Sequence, residues 1–192
     1  MAVRDIDNLF ERQLEAFSSS TADRTIFNLG RPSGKVRSAG VSDKPIKLYG
    51  SKVMKKIRKH GFGKEELRGL TKSVRNPIAV FKNNERPSNY SILTSLKTRN
   101  GNFLVAIEMG SGADAKFNIV TTVFGKGKTN IIDWINRGRL RYVDKKKALN
   151  YLHLAAPIAA ASDNQGLISA AKIVKRFKNN KTSGSILSNA VQ

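Results

Sequence analysis

Hydrophobic residues near the start of the chain recur every three or four positions, which is the spacing of one face of a helix. The stripe consists of Val3, Ile6, Leu9, Phe10, Leu14 and Phe17. Serine and threonine at residues 18–21 end the pattern. The spacing predicts a helix over residues 2–17, within an N-terminal helical appendage of residues 1–24. A second interpretation, that this helix packs on the main domain, is equally open.

In the centre of the chain the spacing changes to the alternation of β-strands. Four β-rich runs cover residues 77–82, 90–97, 102–109 and 117–124. Asn100 and Gly101, between the second and third runs, are a strong signal for a two-residue hairpin turn. Short connections between successive runs predict an antiparallel meander. One face of this sheet is expected to bury against helices, leaving a partly polar face for function.

Segments with helical spacing lie on both sides of this central region. They cover residues 52–59, 64–74, 130–136, 145–154 and 166–177. Ser51 and Thr129 are predicted N-caps, and Gly61 is a predicted helix terminator. A short strand is predicted over residues 140–143. The fold class is therefore α+β, with helices preceding a four-stranded antiparallel meander sheet and further C-terminal helices. We expect this domain to cover residues 25–178 and a flexible tail to cover residues 179–192.

The charge of the chain indicates its partner. The 192 residues include 35 Lys and Arg against 14 Asp and Glu, a formal net charge of +21. The excess is concentrated in residues 31–100, which carry 18 basic and 4 acidic side chains. Repulsion among these cations destabilises the fold unless a polyanion relieves it, and phosphate backbones are common polyanions. We expect the partner to be nucleic acid, either RNA or phage DNA; a solubilising surface and an anionic membrane surface are the weaker alternatives.

Several classes of site are not expected. The chain has no cysteine, which excludes disulfides, thiolate metal sites and cysteine nucleophiles. The two histidines, His60 and His153, are far apart in sequence, and the carboxylates form no pair suited to a two-metal nuclease. No apolar run approaches the ~18 residues of a membrane span, and residues 1–5 do not begin a secretory signal. We therefore expect no metal, no cofactor and no membrane partner.

Three basic stretches supply candidate nucleic-acid-binding residues. Helical spacing places Lys52, Lys55, Lys56 and Lys59 on one stripe that leads to His60. The segment GKGKT at residues 125–129 follows a strand and opens a helix, as a phosphate-binding loop does, so Lys126 and Lys128 join the set.

The GKGKT segment does not complete the nucleotide-hydrolase pattern, because Thr122 stands where that pattern requires a glycine. The third basic stretch contributes Arg141, Tyr142 and Lys145. Tyr142 is either part of the core or, if its ring is exposed, a stacking platform.

Six segments in a fixed order carry a family resemblance. They are FNLGRPS at 27–33, AGVSDKPI at 39–46, NPIAVF at 76–81, FLVAIE at 103–108, WINRG at 134–138 and YVDK at 142–145. The order resembles that of phage-associated barnase/EndoU/colicin/RelE-like nuclease domains. Such domains occur in polyvalent, toxin-like proteins of phages and mobile elements, notably of Bacteroidetes. The resemblance covers about residues 27–178. It implies a small α+β fold with a four-stranded antiparallel sheet, metal-free ribonuclease activity and delivery with the viral genome.

The resemblance and the residue inventory lead to a first functional hypothesis. His60, Tyr142, Asp144 and Lys145 match polar motif positions of the family. A metal-independent endoribonuclease needs only proton transfer and charge stabilisation, since RNA supplies its own 2′-OH nucleophile. In this hypothesis His60 is the general acid or base and Glu108 is the second proton carrier. Lys97 or Arg139 stabilises the charged phosphorane.

The alternative hypothesis is a non-catalytic virion or cargo protein that holds the phage genome through the same basic face. In either case the expected location is the virion interior, the bacterial host cytoplasm or both. Other virion proteins are further candidate partners, through residues 1–24.

Overall fold

The computed structural model describes residues 3–110 and 115–153. Its helices are α1 (Val3–Glu15), α2 (Gly34–Arg37), α3 (Gly50–His60), α4 (Leu70–Arg75), α5 (Lys128–Asn136) and α6 (Lys145–His153), with a 3-10 turn at Glu65–Leu67. Its strands are β1 (Ile26–Gly30), β2 (Ile46–Tyr49), β3 (Ala79–Lys82), β4 (Asn89–Thr98), β5 (Gly101–Glu108), β6 (Asn118–Lys126) and β7 (Leu140–Val143).

The strands form one seven-stranded mixed sheet in the order β1-β2-β6-β5-β4-β3-β7. The mixture of helices and strands is as predicted, but the four-stranded antiparallel sheet is not confirmed. Strands β3 to β6 are antiparallel neighbours within a larger sheet, in which β2 runs parallel to β6. Strands β1 and β2 are only five and four residues long. The Gly- and Pro-rich residues 25–50 predicted mostly loop, with an extended segment at residues 45–48, so β1 was missed while β2 coincides with the expected extended segment.

The predicted hairpin between β4 and β5 is present. Thr98 pairs with Gly101, and Gly101 has a φ of 112°, which glycine adopts without a steric penalty. Helix α3 ends at the predicted glycine, since Gly61 takes a left-handed conformation and donates its N–H to the Ile57 carbonyl. The predicted N-caps were wrong, because Tyr49 and Gly127 occupy those positions, each two residues before the predicted Ser51 and Thr129.

One face of the sheet carries the main core. Alternate residues of the central strands point into it, including Ile92, Phe103, Val105 and Val123. Helices α1 to α4 cover this face with buried apolar residues such as Leu70. On the opposite face, Trp134 of α5 packs against Phe81 of β3 with the ring centroids 5.5 Å apart. The second face is therefore partly covered by a helix, which the sequence did not indicate.

Helix α1 packs on the sheet and does not form an appendage. Phe10 and Leu14 are each 1% exposed and belong to the same core as β1. The Phe10 and Phe27 rings lie 5.3 Å apart, and Phe17 contacts Phe27 at the same distance. Of the two interpretations of residues 1–24, the structure supports packing on the domain.

A buried carboxylate ties α1 to α4. The Asp7 carboxylate accepts a hydrogen bond from the Thr71 hydroxyl at 2.6 Å and pairs with the Arg75 guanidinium. Burial alone would raise the pKa of Asp7. The hydrogen bonds from Arg75 and Thr71 and the charges of Arg75 and Lys72 outweigh burial and lower that pKa.

Asn118 joins β2 to β6. Its side chain is fully buried and donates to the Ser42 and Lys44 carbonyls at 2.9 and 3.0 Å, while its own carbonyl oxygen accepts from the Ser42 hydroxyl at 2.7 Å. Its backbone N–H donates to the Pro45 carbonyl. These bonds fix the start of β2 beside β6, where Ile46 pairs with Asn118 in the parallel register.

The chain divides into two compact units between Asp144 and Lys145, and in the second the structure describes only α6. The predicted helix over residues 166–177 and the predicted tail over residues 179–192 lie outside the described residues. Within the described part of the chain, no helix has the length and apolar character needed to span a bilayer.

We predict that Asp7→Asn destabilises the fold by on the order of 3 kcal/mol, because it leaves the Arg75 charge largely buried without its carboxylate. Urea unfolding followed by circular dichroism measures the change. Since the native pKa of Asp7 lies below 3.8, its stabilising effect is complete above that pH and is lost as the pH falls through the lowered pKa. The control is Asp23→Asn, which removes an exposed carboxylate that has no ion pair in the described residues. Equal effects of the two variants would contradict this role for Asp7.

Candidate nucleic-acid interface

Helix α3 places its lysines where the sequence predicts. Val53 is buried and Met54 and Ile57 pack against the core, so the remaining positions of the helix point away from it. Lys55 and Lys59 are exposed, while Lys52 and Lys56 are partly buried. The Lys55, Arg58 and Lys59 side chains also line a surface groove against residues 19–23. The outward side of α3 is therefore a continuous cationic surface.

The end of α3 reaches a phenylalanine on β6. The His60 imidazole stacks on the Phe124 ring, with centroids 6.1 Å apart and planes 27° apart. The Lys56 Nζ lies 6.0 Å from the centre of the same ring, and the Lys126 Nζ lies 5.7 Å from it. Two ammonium groups and an imidazole thus surround one aromatic ring. We call Lys56, His60, Phe124 and Lys126 the α3–β6 cluster.

The hairpin between β4 and β5 contacts the end of α3 beside this cluster. Arg99 Nη2 donates to the His60 carbonyl oxygen at 3.4 Å. Gly125 lies beneath the turn, where an added Cβ would be 2.2 Å from the Thr98 hydroxyl oxygen, so any larger residue there would displace the turn. Lys97 pairs with Asn102, which pairs with Lys126. Directly paired residues point to the same face, so Lys97 lies in the same row as Lys126.

A second aromatic ring adjoins the cluster. The Lys126 Nζ lies 5.5 Å from the centre of the Trp134 ring, about the same distance as from Phe124. Trp134 belongs to α5, whose first residue is Lys128. The helical pattern over residues 130–136 did not mark Trp134 as a functional residue, and the β-rich run over residues 117–124 did not single out Phe124. The only local signal for Phe124 was that it lies directly before the GKGKT segment. The cluster itself forms through contacts between residues that are distant in sequence.

The cations of this region repel one another. Burial, and then the charges of Lys59 and Lys55, lower the pKa of Lys56. Burial, and then the charges of Lys56 and Lys59, lower the pKa of His60 below 6.5, so its imidazole is mostly neutral at pH 7. Burial and the charge of Lys97 lower the pKa of Lys128. Because these cations repel one another, an anion that binds among them is stabilised by their charge.

Most of the carboxylates of residues 3–110 and 115–153 form ion pairs away from the cluster. Their ion pairs involve Arg31, Lys35, Arg37, Arg68, Arg75, Arg137 and Arg139. In these residues no carboxylate forms an ion pair with Lys56 or Lys126 of the cluster, nor with Lys59, Lys97 or Arg99 beside it.

The proposed catalytic set does not converge. Glu108 is exposed at the far end of β5, four residues beyond Leu104, the partner of Phe124. That separation is about 13 Å along the strand. Arg139 precedes β7 at the same far end, where its carbonyl accepts from the Lys82 N–H and its guanidinium lies 3.9 Å from Glu85. His60 and Lys97 thus lie at one end of the sheet, and Glu108 and Arg139 at the other.

Two residues of the third basic stretch, Tyr142 and Arg141, are also outside the cluster. Tyr142 of β7 packs against the main core and pairs with Val80, which agrees with the core interpretation of that residue. Arg141 is exposed, and its Nη1 donates to the Gly138 and Leu140 carbonyls. Lys145 is an exposed residue at the start of α6, in the second unit.

The described residues contain no group of three or more His, Asp or Glu side chains placed to hold a metal ion.

A family model described as the phage MuF C-terminal domain matches residues 51–150, slightly more than half of the chain. No curated protein and no solved structure matches the chain significantly. The matched segment begins at the first turn of α3 and includes the whole α3–β6 cluster.

We predict that His60 titrates below pH 6.5 in the folded protein and that Lys56→Gln raises its pKa, because one repelling charge is removed. NMR titration of the imidazole signals measures both values. Between the lowered pKa and 6.5 the unfolded chain binds more protons than the native one, so acidification through this range weakens the fold. Lys52→Gln is the control, since Lys52 lies two helical turns from His60. A His60 pKa above 6.5 in the wild-type protein would contradict the prediction.

Proposed function

The chain belongs to the family of phage MuF C-terminal domains, and we propose that this phage-associated domain binds nucleic acid through the α3–β6 cluster and the cations beside it. The observation that supports this proposal most directly is the group of close cations without carboxylate partners in the described residues.

The energetic argument concerns the free protein. Burial first, and then nearby positive charge, lower the pKa values of Lys56 and His60, so the charged forms of both side chains are less stable than they are in water. A phosphate group placed among them stabilises the charged forms of these side chains. The release of counterions from the nucleic acid adds a sequence-independent contribution to binding. The free energy of repulsion in the free domain thus becomes part of the driving force for binding.

The arrangement favours binding with little sequence preference. The side chains of the cluster that bear charge are lysines, which act as point charges toward phosphates. Phosphate contacts position a protein on nucleic acid but carry no direct sequence information. Lys52, Lys55 and Lys59 extend the cationic surface along the outside of α3, which lengthens the tract of backbone that the domain contacts.

RNA cleavage is the second candidate function, and one observation favours it. His60 is held in its neutral form at pH 7, as a general base requires, and it lies among cations that would stabilise a charged phosphorane. In this scheme His60 accepts the proton of the 2′-OH, and the 2′-oxygen bonds to phosphorus as the bond from phosphorus to the 5′-oxygen breaks. The leaving 5′-oxygen takes its proton from water, while Lys126 and Lys97 face the phosphate. Glu108 and Arg139 take no part, because they are at the other end of the sheet.

The biological setting follows from the same two functions. If the domain only binds, its role is that of a virion or cargo protein that holds the phage genome. If it also cleaves, it is a metal-independent endoribonuclease that enters the host cytoplasm with the genome. The cleavage experiment below separates the two.

We predict that binding of RNA or DNA weakens steeply between 50 and 200 mM salt, with a slope that corresponds to about 5–8 phosphate contacts. Lys126→Gln is expected to reduce the slope of log K against log salt by about 1. Fluorescence anisotropy of a labelled oligonucleotide measures the slope. Lys47→Gln is a matched control, because Lys47 also lies over a phenylalanine, Phe117 at 5.3 Å, but on β2 away from the cluster. A flat salt dependence of the wild-type protein would remove the electrostatic argument.

We predict that any cleavage requires RNA, persists in chelator and leaves a 2′,3′-cyclic phosphate or a 3′-phosphate. His60→Ala is expected to lower the rate by ~10²–10⁴ while changing binding little, since the lost group is neutral. Gel electrophoresis of an end-labelled RNA and of a DNA strand of the same sequence measures the cleavage of each. Glu108→Gln is expected to cleave at the wild-type rate. The complete absence of cleavage by purified wild-type protein would leave the binding function alone, and full activity of His60→Ala would exclude His60 as the base.

A further inference from the structure

Two aromatic rings of the interface lie outside the main core. Phe124 and Trp134 are both partly exposed, and neither packs against the main core cluster, although both are large and apolar. Between them lies Lys126, whose Nζ is 5.7 Å from one ring centre and 5.5 Å from the other. The interface therefore offers partly exposed aromatic surface at the same place as positive charge.

The kind of nucleic acid that fits such a surface depends on where its bases are. In a duplex the bases are stacked on one another inside the helix, so a surface of this kind meets phosphates only. In a single strand each base presents a π-face, and one sugar separates it from its own phosphate. Proteins that bind single strands combine a cationic groove with aromatic side chains on which bases stack. An aromatic ring and an ammonium group side by side match the two parts of one nucleotide.

The contact between His60 and Phe124 shows that a flat group fits this ring. The imidazole lies within 27° of parallel to the phenyl plane. A pyrimidine or purine is a flat π-system of the same kind. It takes the place of the imidazole or extends the stack, while Lys56 and Lys126 remain within reach of the phosphate.

We propose that Phe124 and Trp134 form a stacking site for unpaired bases, so that the ligand of this interface is single-stranded rather than duplex nucleic acid. The inference rests on the proposed function, since the cluster cations hold the phosphates while the rings select the unpaired strand.

Trp134 is the only tryptophan of the chain, so its fluorescence reports on this site alone. The full chain is titrated at low salt with three ligands of equal length: a single-stranded oligonucleotide, the same sequence as a duplex, and an abasic strand that has phosphates but no bases. The single strand is expected to quench Trp134 and to bind about tenfold more tightly than the abasic strand, the effect of stacking one base. The duplex and the abasic strand are expected to bind without quenching.

Two matched substitutions locate the effect. Phe124→Leu is expected to lower single-strand affinity about tenfold and to leave abasic-strand affinity unchanged, because it removes the ring and keeps the charges. Phe117→Leu, the same change at the ring beneath Lys47, is expected to alter neither affinity. Thermal melting checks that both variants are folded. If Phe124→Leu is not folded, Phe124→Tyr takes its place and is expected to retain the preference for the base-containing strand.

The outcomes separate this inference from the proposed function. Equal affinity for all three ligands with no change in Trp134 fluorescence would overturn the stacking site and leave nucleic-acid binding intact. Equal loss of affinity for the base-containing and abasic strands in Phe124→Leu, or loss of the preference in a folded Phe124→Tyr, would also overturn it. Failure of the wild-type protein to bind any of the three ligands would overturn the proposed function itself.

Discussion

The structure must hold 35 cationic side chains together with only 14 carboxylates. Several of these carboxylates are used where the fold needs them. Asp7 neutralises the largely buried Arg75, and Arg68 pairs with acids from two segments of the chain, Glu11 and Glu65. Acidic α1 thus compensates the charge of α4 and the turn before it. The cations at the end of α3 and β6 receive no such compensation in the described residues. The placement of these few carboxylates therefore explains how α1 is tied to α4 and why one surface stays strongly positive.

Two local signals in the sequence, a turn and a helix end, predicted the local structure, while the predicted N-caps did not. The Asn100–Gly101 turn and the end of α3 at Gly61 depend on residues close in sequence, and the structure agrees with both. The complete sheet was not predictable in this way. Strand β2 joins β6 across about 70 residues, so its pairing depends on Asn118 and not on any pattern near residue 46.

The residues of the candidate site show the same difference between local and long-range information. The lysine stripe ending in His60 is a feature of one helix, so its spacing could be derived from the sequence. Phe124 and Trp134 were missed because they acquire their cationic neighbours only when α3, β6 and α5 meet. Glu108 was grouped with His60 by chemistry alone, but the register of β5 against β6 separates them. The chemistry of a side chain indicates which reactions it is able to take part in, and strand register determines which other side chains lie close to it.

The parallel contact between β2 and β6 also has a consequence for how the polypeptide acquires its structure during synthesis. Strands β1 and β2 pair with each other and are made before β6, so in the described part of the chain β2 has no further strand partner until residue 118 has been made. Until then the apolar side chains of Phe27, Leu29 and Leu48 lack the sheet they later pack in. Long-range parallel pairing is slow to form, and exposed strands of this kind aggregate readily. During synthesis, residues 26–49 therefore pass through a stage, before residue 118 is made, in which their apolar side chains are open to aggregation.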